Sequence, residues 1–130
     1  MTEPQDLASV PEACRRFAEE VARTGRLWTI ADAGGFPTPQ STAGKKSIPV
    51  WSSLTAVALF LTAARAYRGF RPCELSWKDF EDKWAAALTK DGLTVGLDWA
   101  GAEGAGFDVP PAMLTALVDS VRATGGRRRG

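Results

Sequence analysis

The fold is decided by the stretch from Ser47 to Tyr67, which reads SIPVWSSLTAVALFLTAARAY. Its first residues, Ile48 to Trp51, are apolar and typical of a short strand. Ser52 or Ser53 then supplies a hydroxyl for the amides at the start of a helix. From Leu54 to Tyr67 there is neither glycine nor proline, and apolar residues occur on nearly every side of the helix. Because a helix that is apolar all round is normally enclosed by its domain, we predict that this is the buried central helix.

Length and composition predict one globular domain with flexible ends. The chain has 130 residues, of which 45% are hydrophobic and 24% charged, as in ordinary globular proteins. We predict a flexible leader over residues 1–9, a single domain over residues 10–124 and an Arg-rich tail over residues 125–130. Residues 1–9 lack an apolar targeting segment, and the central helix is shorter than the roughly 20 residues needed to cross a bilayer. We therefore expect a cytoplasmic protein without a membrane association.

Upstream of the central stretch, the pattern predicts a helix, a strand and a long loop. Ser9 and Glu12 have the spacing of a capping box, and the apolar stripe that follows ends at Gly25. Arg26–Ala31 is rich in β-forming residues and is predicted as the first strand. The segment 32–46, with its glycines and prolines, is predicted as a loop.

Downstream, an edge strand and an amphipathic helix are predicted. Phe70–Leu75 contains Pro72, which cannot donate a hydrogen bond and is confined to an edge or a strand start. Ser76 has the position of a helix cap. The apolar stripe of the helix that follows consists of Trp77, Phe80, Trp84 and Leu88.

The last third predicts two strands and a final helix. Leu93–Trp99 alternates apolar and polar residues, which indicates a half-buried strand, and Phe107–Val109 is predicted to pair with it. Asp108 is expected to cap the last helix, and Gly125-Gly126 to end it. The predicted fold class is therefore α+β, with a mostly antiparallel sheet of four to five strands packed with about four helices.

Residue types exclude several kinds of chemistry. The chain has no histidine, which removes Ser-His-Asp and Cys-His nucleophile systems and most zinc sites. Its two cysteines, Cys14 and Cys73, are too few for a Cys-rich metal site and are expected to be reduced. We predict no catalytic residues, no cofactor and no metal, which favours a role other than catalysis.

Charge and aromatic residues indicate a protein partner. Residues 74–119 hold three Lys/Arg and nine Asp/Glu, and Glu81 and Asp82 lie on the polar side of the predicted helix there. Trp99, beside a Gly-rich turn, is the tryptophan we expect to be partly exposed, and Trp is enriched where partners bind. These three residues are the candidate partner-binding site. Three arginines near the C-terminus, without interleaved aromatics, do not favour nucleic acid. The oligomeric state is left open.

An alternative is a small-ligand or anion-binding protein, or an enzyme. Its site would lie near the 32–46 loop and the helix start at residues 51–53. There Ser52 and Ser53, together with exposed helix-start amides, could hold an anion.

Three segments carry a resemblance to a known family. Leu27-Trp-Thr-Ile30, Ile48-Pro-Val-Trp-Ser52 and Asp91-Gly-Leu-Thr-Val-Gly-Leu-Asp-Trp99, in this order, resemble the small bacterial family known as domain of unknown function 2750. The resemblance covers roughly residues 10–121. The Pro-Val-Trp-Ser-Ser junction is also similar to secretion-enhancer SseB-type domains and to some toxin-immunity domains.

The resemblance implies a compact α+β domain in the bacterial cytoplasm and supplies no catalytic residues. Together with the missing catalytic groups, it favours a non-catalytic protein-binding module, such as an accessory, regulatory or immunity-type protein.

Overall fold

The computed structural model describes residues 11–39, 44, 46–101 and 105–129, with residues 105 and 124–129 described by their backbone alone. Within the described residues, four helices and five strands alternate irregularly, which confirms the α+β class. They are α1 (Glu12–Thr24), β1 (Arg26–Ala31), β2 (Ser47–Val50), α2 (Leu54–Ala63), β3 (Arg71–Ser76), α3 (α-helical Trp77–Asp79, π-helical Phe80–Trp84 and α-helical Ala85–Lys90), β4 (Thr94–Ala100), β5 (Ala105–Val109) and α4 (Pro111–Arg129). The predicted cap at Ser9 is wrong, because α1 begins at Glu12 with Pro11 at the N-cap position and no side-chain cap. The predicted leader lies outside the described residues.

The described strands form two sheets, not the single sheet that the sequence predicts. β1 pairs with β3 antiparallel, whereas β2, β4 and β5 form a mixed sheet in that order. In the mixed sheet β4–β5 is antiparallel and β2–β4 is parallel. The parallel pair arises because the chain leaves β2 through α2, β3 and α3 before it returns as β4, and a parallel pair requires such a crossover. Alternation along a strand does not reveal the direction of its neighbour.

Backbone contacts between β1 and the end of β2 join the two sheets. Trp28 and Trp51 exchange two N–H···O bonds of 2.8 and 2.7 Å. The hydroxyl of Thr29 donates to the carbonyl oxygen of Pro49 at 2.8 Å. The two sheets are therefore fixed relative to each other at this junction.

The buried apolar residues form two clusters. The first core contains residues of α1, α3, α4, β2 and β4, among them Phe17, Ile48, Phe80 and Leu117. The second core is smaller and is covered by α2; its members are Trp28, Ile30, Trp51, Val57, Phe60, Ala64 and Trp99. The first core thus has three helices around it and the second has one.

Local signals set several of the predicted boundaries. Gly25 adopts a left-handed conformation (φ 73°) and its N–H donates to Val21 O at 2.7 Å, which confirms it as the end of α1. The Ser76 hydroxyl accepts from Asp79 N at 3.0 Å, which confirms the cap of α3. β3 pairs only with β1 among the described strands, so Pro72 lies in an edge strand as predicted.

Two predictions about the last helix are wrong. The backbone of α4 continues to Arg129, past the Gly125-Gly126 pair, because glycine lowers helix propensity by about 1 kcal/mol without forbidding the helix. The carboxylate of Asp108 does not serve the start of α4. It accepts hydrogen bonds from Ser47 Oγ at 3.0 Å and Thr94 Oγ1 at 3.1 Å, and so ties β5 to β2 and β4.

Candidate functional site

The start of α2 is held by a carboxylate from β4. Asp98 Oδ1 accepts from the Ser52 amide at 2.9 Å, and Asp98 Oδ2 accepts from the Ser52 hydroxyl at 3.0 Å. The Ser53 hydroxyl caps the helix by accepting from Ala56 N at 3.1 Å. The anion at this helix start is therefore part of the chain itself. Binding of a free anion at Ser52 and Ser53 stays a prediction, and it would require the displacement of Asp98.

Asp98 occupies an unusual backbone position. Among the described residues other than glycine, Asp98 alone has a positive φ, of 51°. It lies between Leu97 and Ala100, where the register of the β4–β5 pair is irregular. Burial raises the pKa of the Asp98 carboxyl, and the hydrogen bonds from Ser52 oppose this rise. The left-handed residue breaks the strand alternation, so Leu97 packs in the first core whereas Trp99 packs in the second.

Trp99 is buried, and the prediction that it is partly exposed is wrong. Its side chain is 6% exposed and fills the space above two glycines, since a Cβ atom added at Gly96 or Gly106 would overlap the indole ring. Its carbonyl oxygen accepts from Trp51 Nε1 at 2.8 Å. Gly106, the last glycine of the segment that suggested exposure, instead makes room for the ring. Trp99 is part of the second core, and its role in partner binding stays a prediction.

The prediction that α2 is buried on all sides is also wrong. Only Val57 and Phe60 of this helix are buried, whereas Leu54 and Leu59 are 52% and 66% exposed. A small domain is built of two or three layers, so each helix forms an outer layer and shows one side to solvent. The exposed side, here called the outer face of α2, also contains small or uncharged residues: Thr55, Ala58, Thr62 and Ala63.

Aromatic contacts fix the inner side of α2. Phe60 packs against Trp51 with ring centroids 4.8 Å apart and against Tyr67 at 5.4 Å. Tyr67 in turn contacts Phe70 edge-on at 5.5 Å. Burial raises the pKa of the Tyr67 phenol. This row of rings anchors both the helix and the turn that follows it, so α2 cannot roll to bury its outer leucines.

The acidic candidates lie on α3. Asp82 is exposed and accepts from Lys78 Nζ at 3.0 Å. Glu81 faces α4, where partial burial together with the charge and hydrogen bond of Asp119 raises its pKa. An open groove of about 490 Å³ runs between α3 and α4; it is lined by Glu81, Ala85, Ala86, Thr89, Lys90, Ala112, Thr115 and Asp119. The structure thus separates the three predicted partner-binding residues, with Glu81 and Asp82 on the first core and Trp99 inside the second.

The predicted loop contributes an aromatic contact. Asp32 and Gly35 close a tight turn through two backbone hydrogen bonds of 3.1 and 3.0 Å. Phe36 then packs edge-on against Trp84 of α3, with ring centroids 5.0 Å apart. Residues 40–43 and 45 of this loop lie outside the described part of the chain. The described part of the loop therefore reaches α3.

The described residues form neither a metal-binding cluster nor a membrane-spanning helix. These contain no group of three or more Cys, Asp or Glu side chains placed to hold a metal ion. None of the described helices is both long and apolar enough to cross a membrane. Cys14 and Cys73 are free.

Sequence reasoning missed the outer face of α2, although a signal was present. Ala58, Thr62 and Ala63 do not require burial as strongly as Leu or Phe, and exposed Thr is common. Counting them as core residues gave the impression of a helix that is apolar all round.

The geometry defines a small α+β protein with an exposed, uncharged helix face. The chain belongs to the family described as Protein of unknown function (DUF2750), which matches residues 14–117. This match confirms the family suggested by the three sequence segments. A search of curated protein sequences finds no matching relative.

Proposed function

We propose that the protein is a non-catalytic protein-binding module of accessory, regulatory or immunity type, and that it binds its partner through the outer face of α2. The observation that carries this proposal is the exposure of Leu54 and Leu59 on a helix face without any charge. A contiguous apolar patch on a soluble domain commonly marks an interaction site. Burying it against a partner would stabilise the complex by removing this area from water.

The rigidity of α2 supports the same proposal. The rings of Trp51, Phe60 and Tyr67 hold the helix, and the Ser52–Asp98 contacts hold its first turn. A surface that is already ordered loses little conformational entropy on binding. The outer face of α2 therefore suits a binding role better than a loop would.

The acidic face of α3 is the rival surface for a partner. Its charges are partly compensated within the protein, since Asp82 is bonded to Lys78 and Asp79 lies 4.0 Å from Lys83. Exposed ion pairs of this type are common on ordinary helix surfaces and contribute little energy. We therefore rank this face second.

We also propose a cytoplasmic location. The two free thiols, Cys14 and Cys73, support it, because cysteines of secreted proteins are usually paired in disulfides.

The test compares the two surfaces in one binding assay. The tagged chain captures proteins from lysate of its own cells, and each stoichiometric candidate is purified and titrated by calorimetry against three proteins: wild type, Leu59→Glu, and Glu81→Lys/Asp82→Lys. We expect Leu59→Glu to weaken binding about tenfold or more, because it places a charge in the centre of the contact. The double charge reversal should leave affinity unchanged.

The exposed position of Leu59 keeps this test clean, since surface substitutions usually change stability by about 0.5 kcal/mol or less. Equal affinities of wild type and Leu59→Glu, with a loss in the double variant, would assign binding to α3 and refute the proposal for α2.

A further inference from the structure

The outer face of α2 has a shape that fits one kind of occupant. Leu54 and Leu59 are five positions apart, which places them about 140° apart around the helix axis. Ala58 and Thr62 lie between them, so two large side chains border a floor of small ones. Helix axes approach to roughly 8–10 Å depending on the side chains at the contact, and small residues permit the closer approach. Two large side chains thus flank small ones on this face, which would let the axis of another helix approach closely.

The charged residues that follow α2 in the sequence have a single sign. From Leu54 to Pro72 the chain has three arginines, Arg65, Arg68 and Arg71, and no acidic residue. All three arginines are exposed; Arg65 and Arg68 lie between α2 and β3, and Arg71 is the first residue of β3. Complementary charges at the rim of an interface steer association and select the partner. The matching occupant carries acidic side chains at this end.

From these observations we infer that the outer face of α2 binds an amphipathic helix of another protein, whose apolar stripe is flanked by Asp or Glu. This inference rests on the proposed function and adds the chemical class of the partner. The ten residues of α2 span only about 15 Å, whereas a stable interface buries about 800 Å² on each side. The contact therefore extends over Arg65–Arg71, and its affinity depends on salt concentration.

Two other occupants fit the surface less well. A second copy of the chain, paired symmetrically through α2, would offer no acidic residue from Leu54 to Pro72 to pair with the arginines. A lipid surface is usually bound by helices that carry Trp or Phe on the apolar side and Lys or Arg on the opposite side. In α2 the opposite side is buried against the second core, through Val57 and Phe60.

The experiment identifies what covers α2 in the cell. A photo-cross-linking amino acid replaces Leu59 in the full chain, expressed in its own organism, and mass spectrometry identifies the attached peptide. The same replacement at Ala87, an exposed position on α3, is the matched control. We expect a peptide from another protein, attached at position 59 only. Its sequence should repeat apolar residues at helical spacing with Asp or Glu beside them.

Charge reversal then tests the arginines. In the chain with the cross-linker at position 59, Arg65→Glu/Arg68→Glu should lower the yield about tenfold, and Lys83→Glu on α3 should leave it unchanged. The inference is overturned if the attached species is a lipid, a second copy of this chain, or a peptide without the acidic amphipathic pattern. It is also overturned if the arginine reversal has no effect.

The outcomes distinguish a failure of the proposed binding function from a failure of the proposed partner class. A cross-link to another protein that lacks the acidic pattern leaves the binding function in place and refutes only the partner class. Cross-links that form at position 87 and never at position 59 refute both.

Discussion

The two helices α2 and α3 are both anchored by buried aromatic rings but face solvent differently. Phe60 of α2 is 2% exposed, and Trp77 and Phe80 of α3 are buried as deeply, so α2 inserts one aromatic ring into its core and α3 inserts two. On the outside, α3 has the ion pair of Lys78 with Asp82. At the corresponding side of α2, Leu59 is exposed and charges are absent from Leu54 to Ala64.

This difference shows that packing depth and surface chemistry are set independently. The charged outer side of α3 is well solvated and gains little by being covered. The outer face of α2 would gain roughly 25 cal/mol for each Å² of apolar surface that a partner removes from water. The same fold therefore presents one helix adapted to solvent and one adapted to a contact.

The largest expected effect tests whether Phe60 and Phe80 stabilise their helices to the same extent. Phe60→Ala and Phe80→Ala should each lower the free energy of unfolding by about 3–5 kcal/mol, because each leaves a cavity in its core. Urea denaturation measures both values. Leu59→Ala, at an exposed position, should change stability by only about 0.5 kcal/mol. If Phe60→Ala lowers the free energy of unfolding no more than Leu59→Ala does, then Phe60 does not anchor α2, and the comparison of α2 with α3 is wrong.

A smaller effect tests the packing beneath α2. Gly96→Ala should destabilise the protein by about 1–3 kcal/mol, because the added Cβ overlaps the Trp99 ring in the second core. Near-ultraviolet circular dichroism should show the displaced tryptophan. The matched control is Gly34→Ala, where the nearest atom, Asp32 Oδ1, would lie 3.4 Å from the new Cβ. Equal losses in the two variants would mean that Trp99 does not fill the space above Gly96.

The smallest expected effect is a pH dependence of stability, caused by the Asp98 carboxylate at the start of α2. Because the folded protein raises the pKa of Asp98, the folded state binds this proton more tightly than the unfolded state does. Relative to Asp98→Asn, the wild type should therefore lose stability as pH rises from the ordinary Asp value through the raised one. Asparagine tolerates the positive φ, so the backbone is preserved. Urea denaturation at several pH values measures this difference, and a relative gain with rising pH would contradict it.

Asp98→Ala separates charge from hydrogen bonding. Below the ordinary Asp pKa it should cost about 1–3 kcal/mol, because it leaves the Ser52 amide without its acceptor, and this cost should fall as pH rises. A loss as small as that of Asp98→Asn would show that the carboxyl side chain does not hold α2.

Local sequence signals correctly predicted many of the element boundaries. The bounds of β1, the end of α1 at Gly25 and the cap at Ser76 follow from residues next to each other in sequence. Pro72 marked an edge strand because its missing N–H acts at its own position. Of the candidate site, the sequence located Ser52 at a helix start but not the Asp98 carboxylate that it bonds, 46 residues away.

The sequence by itself determined which residues share a side of each helix and strand, since periods of 3.6 and 2 are properties of the backbone. Only the tertiary structure decided how many layers cover each side. It left Leu59 of α2 in solvent and, through the left-handed Asp98, turned Trp99 into the second core. The reason is physical: exposure depends on contacts between segments far apart in the chain, and a hydrophobic pattern states only that a side could be buried.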